Sequence, residues 1–304
     1  MNQRVLSEGI FYGLPDQVYH ADPAPEPSLS ASTAKVLLKH SPMHARLGHA
    51  RLNPDWKPDD WRQFDRWSVV VQGQIVHETF LLGEQAYGIV EVDAFRSNDA
   101  KAARETIWAS GRVALSRPQA DKVLPLVPIL REQVATFEDP LPAFTAGRPE
   151  ATLVWYDEEF EIWCRARPDW LRDDFSAMDD LKTSHSARPD ADGFGRTAYS
   201  LLYEVQAALY VRGLKKLRPG CDPRFRFIAF ELEPPYAISM CELDPVGKRL
   251  GETELAIAME LWRDCMKHGK WPGYPQRSQR IEPPAWRVKA LEDGVLTDKE
   301  LLDF

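Results

Sequence analysis

Cysteine is scarce: Cys164, Cys221, Cys241 and Cys265 lie far apart and form no C-x-x-C pair. That spacing suggests neither a disulfide framework nor a zinc knuckle, and the four thiols are expected to be reduced and partly buried. Long apolar runs are missing too. No stretch reaches the roughly 18 consecutive apolar residues of a bilayer-spanning helix, and the opening residues, MNQRVLSEGIFYGLPDQ, lack the basic-then-apolar layout of a secretory signal. A cytoplasmic chain with no membrane partner is the expectation. Net positive charge is also absent, since 38 Lys and Arg stand against 46 Asp and Glu, giving a formal charge of −8. This excludes a protein that coats nucleic acid with its whole surface, though not one with a local site. No internal repeat or low-complexity tract is visible.

What is present is ordinary globular composition, with 44% hydrophobic and 28% charged residues over 304 positions. Such a chain can build a sizeable core and is far from the composition of disorder. We read one α/β domain over 1–304, with an N-terminal arm at 1–27 and a Trp- and Pro-rich tail at 271–304. Positive charge is concentrated in 212–226, where Arg212, Lys215, Lys216, Arg218, Arg224 and Arg226 face the single acid Asp222. That run is either a solvated helix end or a local anion-binding surface.

Punctuation and hydrophobic period order the elements. Pro15, Pro23, Pro25 and Pro27 suggest an extended arm before a short helix, SLSASTAKVLLKHSP, with serine caps at its start and Pro42 as its stop. Residues 47–64 look like an irregular charged loop. WSVVVQGQIVHETFLLG reads as a helix closed by Gly83. A strand-like YGIVEV precedes a charged stretch, 99–137, helical in pattern and interrupted near Gly111 and Pro118. Then ATLVWYD, EIWCRARPDWLRD and FSAMDDLKTS suggest three strands of a meander. A long helix over about 196–217, two strands in FRFIAFELEPPYAISMCEL and a final helix at 245–268 complete the series.

The segment RPDWLRDDFSAMDDLKTS carries the chemistry. Asp169 follows Pro168 in one expected strand and Asp180-Leu181-Lys182 lies in the next, so a tight hairpin brings two carboxylates and a lysine together. Alternation points Asp180 and Lys182 to one face and the Leu181 side chain to the core, leaving the Leu181 carbonyl free to face a metal. Hard oxygen donors suit Mg²⁺, with Mn²⁺ as a substitute. Such an ion activates water and polarises a phosphate, and Lys182 orients or helps deprotonate that water, so phosphodiester hydrolysis is the reaction expected. D-x-K alone also describes many surface ion pairs. Tyr199, Tyr203, Gln206 and Tyr210 fall on one face of the long helix, as core packing or as site, and a buried Gln206 requires a polar neighbour. His77 sits one turn after Gly73, whose missing side chain allows close approach, and is either a core histidine or a ligand. Glu78 points about 100° away from it and is not expected to share its site.

In this order, G-x-x-x-H (Gly73 to His77), R-P-D-W (Arg167 to Trp170), D-L-K-T (Asp180 to Thr183) and Q-A-A-L-Y (Gln206 to Tyr210) resemble the RecE-type, exonuclease VIII-like branch of PD-(D/E)XK nucleases. The resemblance extends to Tyr19-His20, the SLSAS helix start, the helical region after VDAFRS and W-P-G-Y from Trp271 to Tyr274. It implies a restriction-endonuclease-like core, a central mixed β-sheet flanked by α-helices. It further implies that His77, Asp169 and Asp180 ligate the metal, that Lys182 is catalytic, and that Gln206 and Tyr210 support the site and the DNA strand. Glu150 is either a further acidic ligand or a solvated strand end. Arg167, Thr183, Lys215, Lys216 and Arg218 are the candidate DNA contacts. Ser41-Pro42 stands where iron–sulfur relatives carry Cys-Pro, so no such cluster is expected. The branch implies 5′→3′ degradation of linear double-stranded DNA in a bacterial or phage-infected cell. It also implies a single-strand annealing partner and a ring-shaped homo-oligomer, a trimer or tetramer. Two other readings stay open: an endonuclease or single-strand nuclease on the same core, and a noncatalytic DNA-end-binding or recombinase-recruiting module.

Overall fold

The proline-punctuated start of the chain folds onto the body instead of trailing from it. In the structure, a computed structural model describing residues 6–57, 61–64 and 67–293, β1 (Gly9–Phe11) adds an antiparallel edge to a sheet and α1 (Asp16–His20) follows. Leu6, Leu14, Tyr19 and Ala24 are buried with Val154. Apolar side chains scattered among the prolines therefore dock the segment, because their removal from water outweighs the stiffness of the chain. α2 (Ala31–Lys39) is capped by Ser30, whose hydroxyl accepts from the Thr33 N–H. Pro42 opens α3 (Pro42–Leu47) instead of merely ending α2, at a first-turn position where a missing N–H costs nothing.

α4 (Val69–Leu82) has the expected bounds, with a Ser68 cap and Gly83 at φ 68°. β2 (Tyr87–Val90) forms in the expected strand-like segment, and the stretch expected to be helical contains α5 (Asn98–Ala109), β3 (Val113–Ser116), α6 (Arg117–Val123) and α7 (Leu126–Ala135). β2 and β3 pair in parallel. β3 is four buried residues, too short for its period to be told from a helix turn.

The expected meander divides between two sheets. β4 (Gly147–Pro149) and β5 (Thr152–Asp157) precede β6 (Ile162–Ala166), β7 (Trp170–Arg172) and β8 (Ala177–Ser184). β1, β5 and β6 form one antiparallel sheet, while β7 and β8 belong to another, so EIWCRARPDWLRD is two strands. Pro168 lies in the break, where a residue without an N–H cannot continue the ladder. The long helix is also two, α8 (Phe194–Ser200) and α9 (Tyr203–Leu217), separated by Leu202 in the left-handed region at φ 52°. β9 (Arg224–Glu231), β10 (Ile238–Cys241) and α10 (Pro245–His268) end this part of the chain. β8 and β9 are parallel, joined through α8 and α9, and the five-stranded sheet runs β10-β9-β8-β7-β4.

Strand parity sorts the core into two layers. Phe225, Phe227 and Ala229 of β9 join Leu37, Leu209, Met259 and Trp262 from α2, α9 and α10. Ile228 and Phe230 join Ile75, Val76 and Leu130 from α4 and α7 on the other face. A mixed sheet covered by helices on both faces is the expected architecture. The chain divides into units 1–271 and 272–304. Trp271 packs edge-on against Trp262 and so belongs to the first unit, not to a tail beginning there. The second unit contains α11 (Ala285–Glu292), none of whose residues is buried. All four cysteines are free, with Cys164 and Cys265 buried. Among the described residues no helix is long and apolar enough to cross a membrane.

Candidate active site

β7 is short and pairs with β8 only at Trp170↔Asp179 and Leu171↔Met178, so among the described residues this edge of β8 has no neighbouring strand beyond Asp179. Asp169 fills the gap from the break before β7 instead of from within a strand. Its Oδ2 accepts the Leu181 N–H at 2.7 Å and meets His77 Nε2 at 2.8 Å. His77 reaches it because α4 lies close to β8: a Cβ on Gly73 would stand 2.5 Å from Thr183 Oγ1. Only glycine permits that approach. The N–H and C=O of one extended residue share a strand edge, so the Leu181 carbonyl faces the same gap while its side chain joins the α4 layer.

On the opposite face Asp180 and Lys182 meet α9. Gln206 Nε2 donates to Asp180 Oδ1 at 2.7 Å, and the Lys182 ammonium pairs with Asp180 Oδ2. Lys182 Nζ stands 4.8 Å from the centre of the Tyr203 ring. A second lysine, which no sequence pattern singles out, shares that ring: Lys35 Nζ on α2 is 4.7 Å from its centre and donates to Gln206 Oε1 at 3.2 Å. The polar neighbours that a buried Gln206 requires are thus supplied at both ends of its amide. Tyr210 is buried and packs edge-on against Phe225. Tyr199 lies on α8 across the Leu202 break, 40% exposed, and does not join the stripe.

Burial and charge set the protonation preferences. Burial opposes ionisation of Asp169, but the His77 and Lys182 charges outweigh it and hold the carboxyl below its usual range. His77 is raised, burial being overcome by Asp169. Burial pushes Asp180 up to about 6 against the pull of Lys182. Lys182 is raised, because Asp180 and Asp169 overcome its burial. Lys35 is lowered to about 8 by burial and by the charge of Lys182.

A cleft of about 930 Å³ opens beside this cluster, lined by His77, Lys182, Thr183 and Tyr203 and continuing past Thr33 to Asn53 and Trp56. Glu78 lines it as well, contrary to the expectation that it points elsewhere, and burial raises it to about 7. It pairs with Arg62, which bonds Asp16 at 3.0 Å. Arg167 in turn bonds Asp16 at 3.3 Å and Glu150 at 2.7 Å. Glu150 lines the cleft beside Asp169, with its N–H donating to the Asp169 carbonyl.

The basic segment is not brought here. Lys215, Lys216 and Arg218 lie at the far end of α9, roughly 18 Å along the helix from Tyr203 at 1.5 Å per residue. Lys215 pairs with Asp222 and Lys216 with Glu158, while Arg218 lies over the Phe175 ring. Arg212 bonds Asp157 and Glu159, and Arg224 and Arg226 both bond Asp139. Acids distant in sequence neutralise a run that looks unopposed when read linearly.

Residues 31–282 match the model of a family described as a PDDEXK-like domain of unknown function, DUF3799. The chain belongs to that family. A solved structure from Eubacterium rectale, provisionally named an exonuclease, is similar with a TM-score of 0.57 at 13% identity, covering 91% of this chain and 98% of that one. That likeness speaks for a shared fold. A phage-related exonuclease from Haemophilus somnus 129PT, at TM-score 0.30, 11% identity and coverage of 80% and 96%, is too distant to carry an argument. No functionally curated protein matches.

The name of the PDDEXK-like family is written in the residues at the β8 edge, Pro168-Asp169 and Asp180-Leu181-Lys182. Among the described residues no three histidine, cysteine or carboxylate groups are already arranged to hold a cation. His77 and Asp169 are bonded to each other, and Asp180 is held between Gln206 and Lys182. The donor chemistry nevertheless fits one. Asp180 Oδ2 is buried and paired with the Lys182 ammonium, and an ionised carboxylate oxygen keeps further lone pairs with which to ligate a cation. Asp169 and the Leu181 carbonyl add oxygen to the same edge, as a hard divalent ion requires.

Proposed function

We propose that this PDDEXK-like chain is a divalent-cation-dependent exodeoxyribonuclease that hydrolyses linear double-stranded DNA from its 5′ ends and leaves 3′ single-stranded overhangs for recombination. The observation that carries the reading is the meeting of Asp169, Asp180 and Lys182 at the open edge of β8, with Gln206 bonded to Asp180. Asp169, Asp180 and the Leu181 carbonyl would hold Mg²⁺ or Mn²⁺, with His77 as a further ligand and Glu150 in reserve beside Asp169. Bound there, the cation lowers the pKa of a neighbouring water and offsets charge on the phosphoryl oxygens.

The protein's own groups do the rest. Lys182, kept charged by Asp180 and Asp169, holds the attacking water by donation and steadies the negative charge developing on the phosphoryl oxygens; in this arrangement it is a poor base. Gln206 keeps Asp180 Oδ1 occupied, so that Oδ2 is the oxygen offered. Tyr203 screens the lysines from water on one side, and Tyr210 packs below. Substrate enters the cleft beside Thr33, Asn53 and Trp56, with Thr183 in its wall and Arg167 bracing the lining Glu150 from behind, and not the distant surface of Lys215, Lys216 and Arg218. The DNA polarity, the annealing partner and a trimeric or tetrameric ring rest on the likeness of the four ordered motifs to RecE-type enzymes.

End-labelled linear, 5′-tailed and closed circular DNA, incubated with Mg²⁺ or with chelator, test this directly. Loss of label from linear 5′ ends, abolished by chelator, is expected. Closed circles cut as fast as linear DNA would instead identify an endonuclease, and DNA-end binding indifferent to chelator would point to a noncatalytic module.

A further inference from the structure

Lys35 is a half-buried cation that the proposed reaction does not use. It is carried by α2, 171 residues before Gln206 in sequence, and its side chain turns inward to the Gln206 carbonyl oxygen at 3.2 Å and the Tyr203 ring at 4.7 Å. A lysine so placed gives up hydration and lies near a second ammonium, Lys182, on the same ring. A helix lysine with no task would extend its stem and keep its head in water.

What the contact accomplishes follows from donors and acceptors. An ammonium only donates, so Lys35 can bond only the oxygen of the Gln206 amide. Fixing Oε1 turns Nε2 the other way, toward Asp180 Oδ1, where it donates at 2.7 Å. Without Lys35 the amide is free to rotate and present its oxygen to a carboxylate, which repels it. Asp180 would then lose the bond that occupies Oδ1 and the orientation that sets Oδ2 against the Lys182 ammonium.

We propose that Lys35 is a positioning residue which, through Gln206, sets the orientation of the Asp180 carboxylate toward a divalent cation. This rests on the proposed nuclease reading for its catalytic consequence, but not for its measurement. Simple electrostatics makes the opposite forecast: deleting a nearby positive charge tightens cation binding. The sign of the change therefore distinguishes the two.

Mn²⁺ binding to DNA-free protein, followed by calorimetry, reads the relay. Lys35→Met is expected to weaken Mn²⁺ binding about tenfold, as loss of groups that orient ligands does, and to lower kcat similarly with KM for DNA nearly unchanged. Lys35→Arg, which keeps a charged donor, restores binding to within about threefold. In a Gln206→Leu background, Lys35→Met adds less than about a twofold change, because the two residues act in series. If Lys35→Met does not fold, Lys35→Ala replaces it, alanine being the residue best tolerated within a helix. Tighter or unchanged Mn²⁺ binding, or losses that multiply in the double variant, would overturn the proposal, as would a wild-type protein that binds no Mn²⁺. A rise in KM alone would make Lys35 a substrate contact instead. Wild-type protein that binds Mn²⁺ but cuts no DNA defeats the nuclease reading and leaves the relay measurable.

Discussion

Asp179 and Asp180 are chain neighbours, equally buried, and opposite in fate. Asp179 accepts Arg226 Nε at 2.6 Å and the Phe144 N–H at 2.7 Å, with each of its oxygens engaged. Asp180, on the other face of β8, has one oxygen held by Gln206 and the other paired with the Lys182 ammonium. A carboxylate enclosed by a guanidinium and a backbone N–H holds a fold together, whereas one paired with a lysine that lines a cleft is placed for chemistry. One step along a strand makes the difference, because it changes which helical layer the side chain meets.

The contrast breaks if the two residues exchange roles under mutation. Asp180→Asn should lower nuclease activity on the order of 10³-fold with little change in thermal stability, read by end-labelled DNA digestion beside a melting curve. Asp179→Asn should do the reverse. Arg226 keeps Asp139 at 3.3 Å, so the cost of weakening its pairing falls near roughly 3 kcal/mol in urea denaturation. Activity per folded molecule should stay within a few-fold. An inactive but fully stable Asp179→Asn protein would refute the division.

A third buried carboxyl sharpens the comparison because neither a guanidinium nor a metal role accounts for it. Glu204 on α9 is raised to about 7, chiefly by burial and further by Glu254 on α10. Its folded pKa exceeds the ordinary 4.5, so the folded state holds a proton that the unfolded chain releases between those values. The stability this provides is complete below about 4.5 and is lost as pH rises through about 7. Glu204→Gln should therefore raise Tm by roughly 2–4 °C above pH 7 and flatten its decline with pH. A variant melting no higher than wild type at pH 8 would count against the shift. The smallest effect is expected for Lys215→Glu and Lys216→Glu, whose acidic partners Asp222 and Glu158 lie away from the cleft. DNA affinity should move less than about twofold with an unchanged salt dependence, measured by fluorescence anisotropy.

The features legible in the sequence were those set by local rules. Alternation in AMDDLKTS separates Leu181 from Asp180 and Lys182, the helix 245–268 has the expected bounds, and the cost of burying an amide announced that Gln206 needed a partner. What escaped was set by distant neighbours. Nothing near Lys35 shows that it turns inward, since its acceptor belongs to α9. Glu78 is drawn into the cleft wall by Arg62, although helix geometry alone separates it from His77. The basic segment loses its apparent excess charge to Asp139, Asp157 and Glu158, which a linear reading cannot see. The break at Leu202 is a backbone event at a residue with no marked preference for it.

The brevity of β7 has a consequence of another kind. An exposed strand edge offers unpaired peptide groups to any chain that can lie alongside it, the usual beginning of unwanted association. Here the Leu181 N–H is covered by the carboxylate of Asp169, a side chain standing where a strand would. The same few atoms thus act as a guard against adhesion and as a doorway for substrate, and a variant lacking Asp169 should be judged for its solubility as well as for its catalysis.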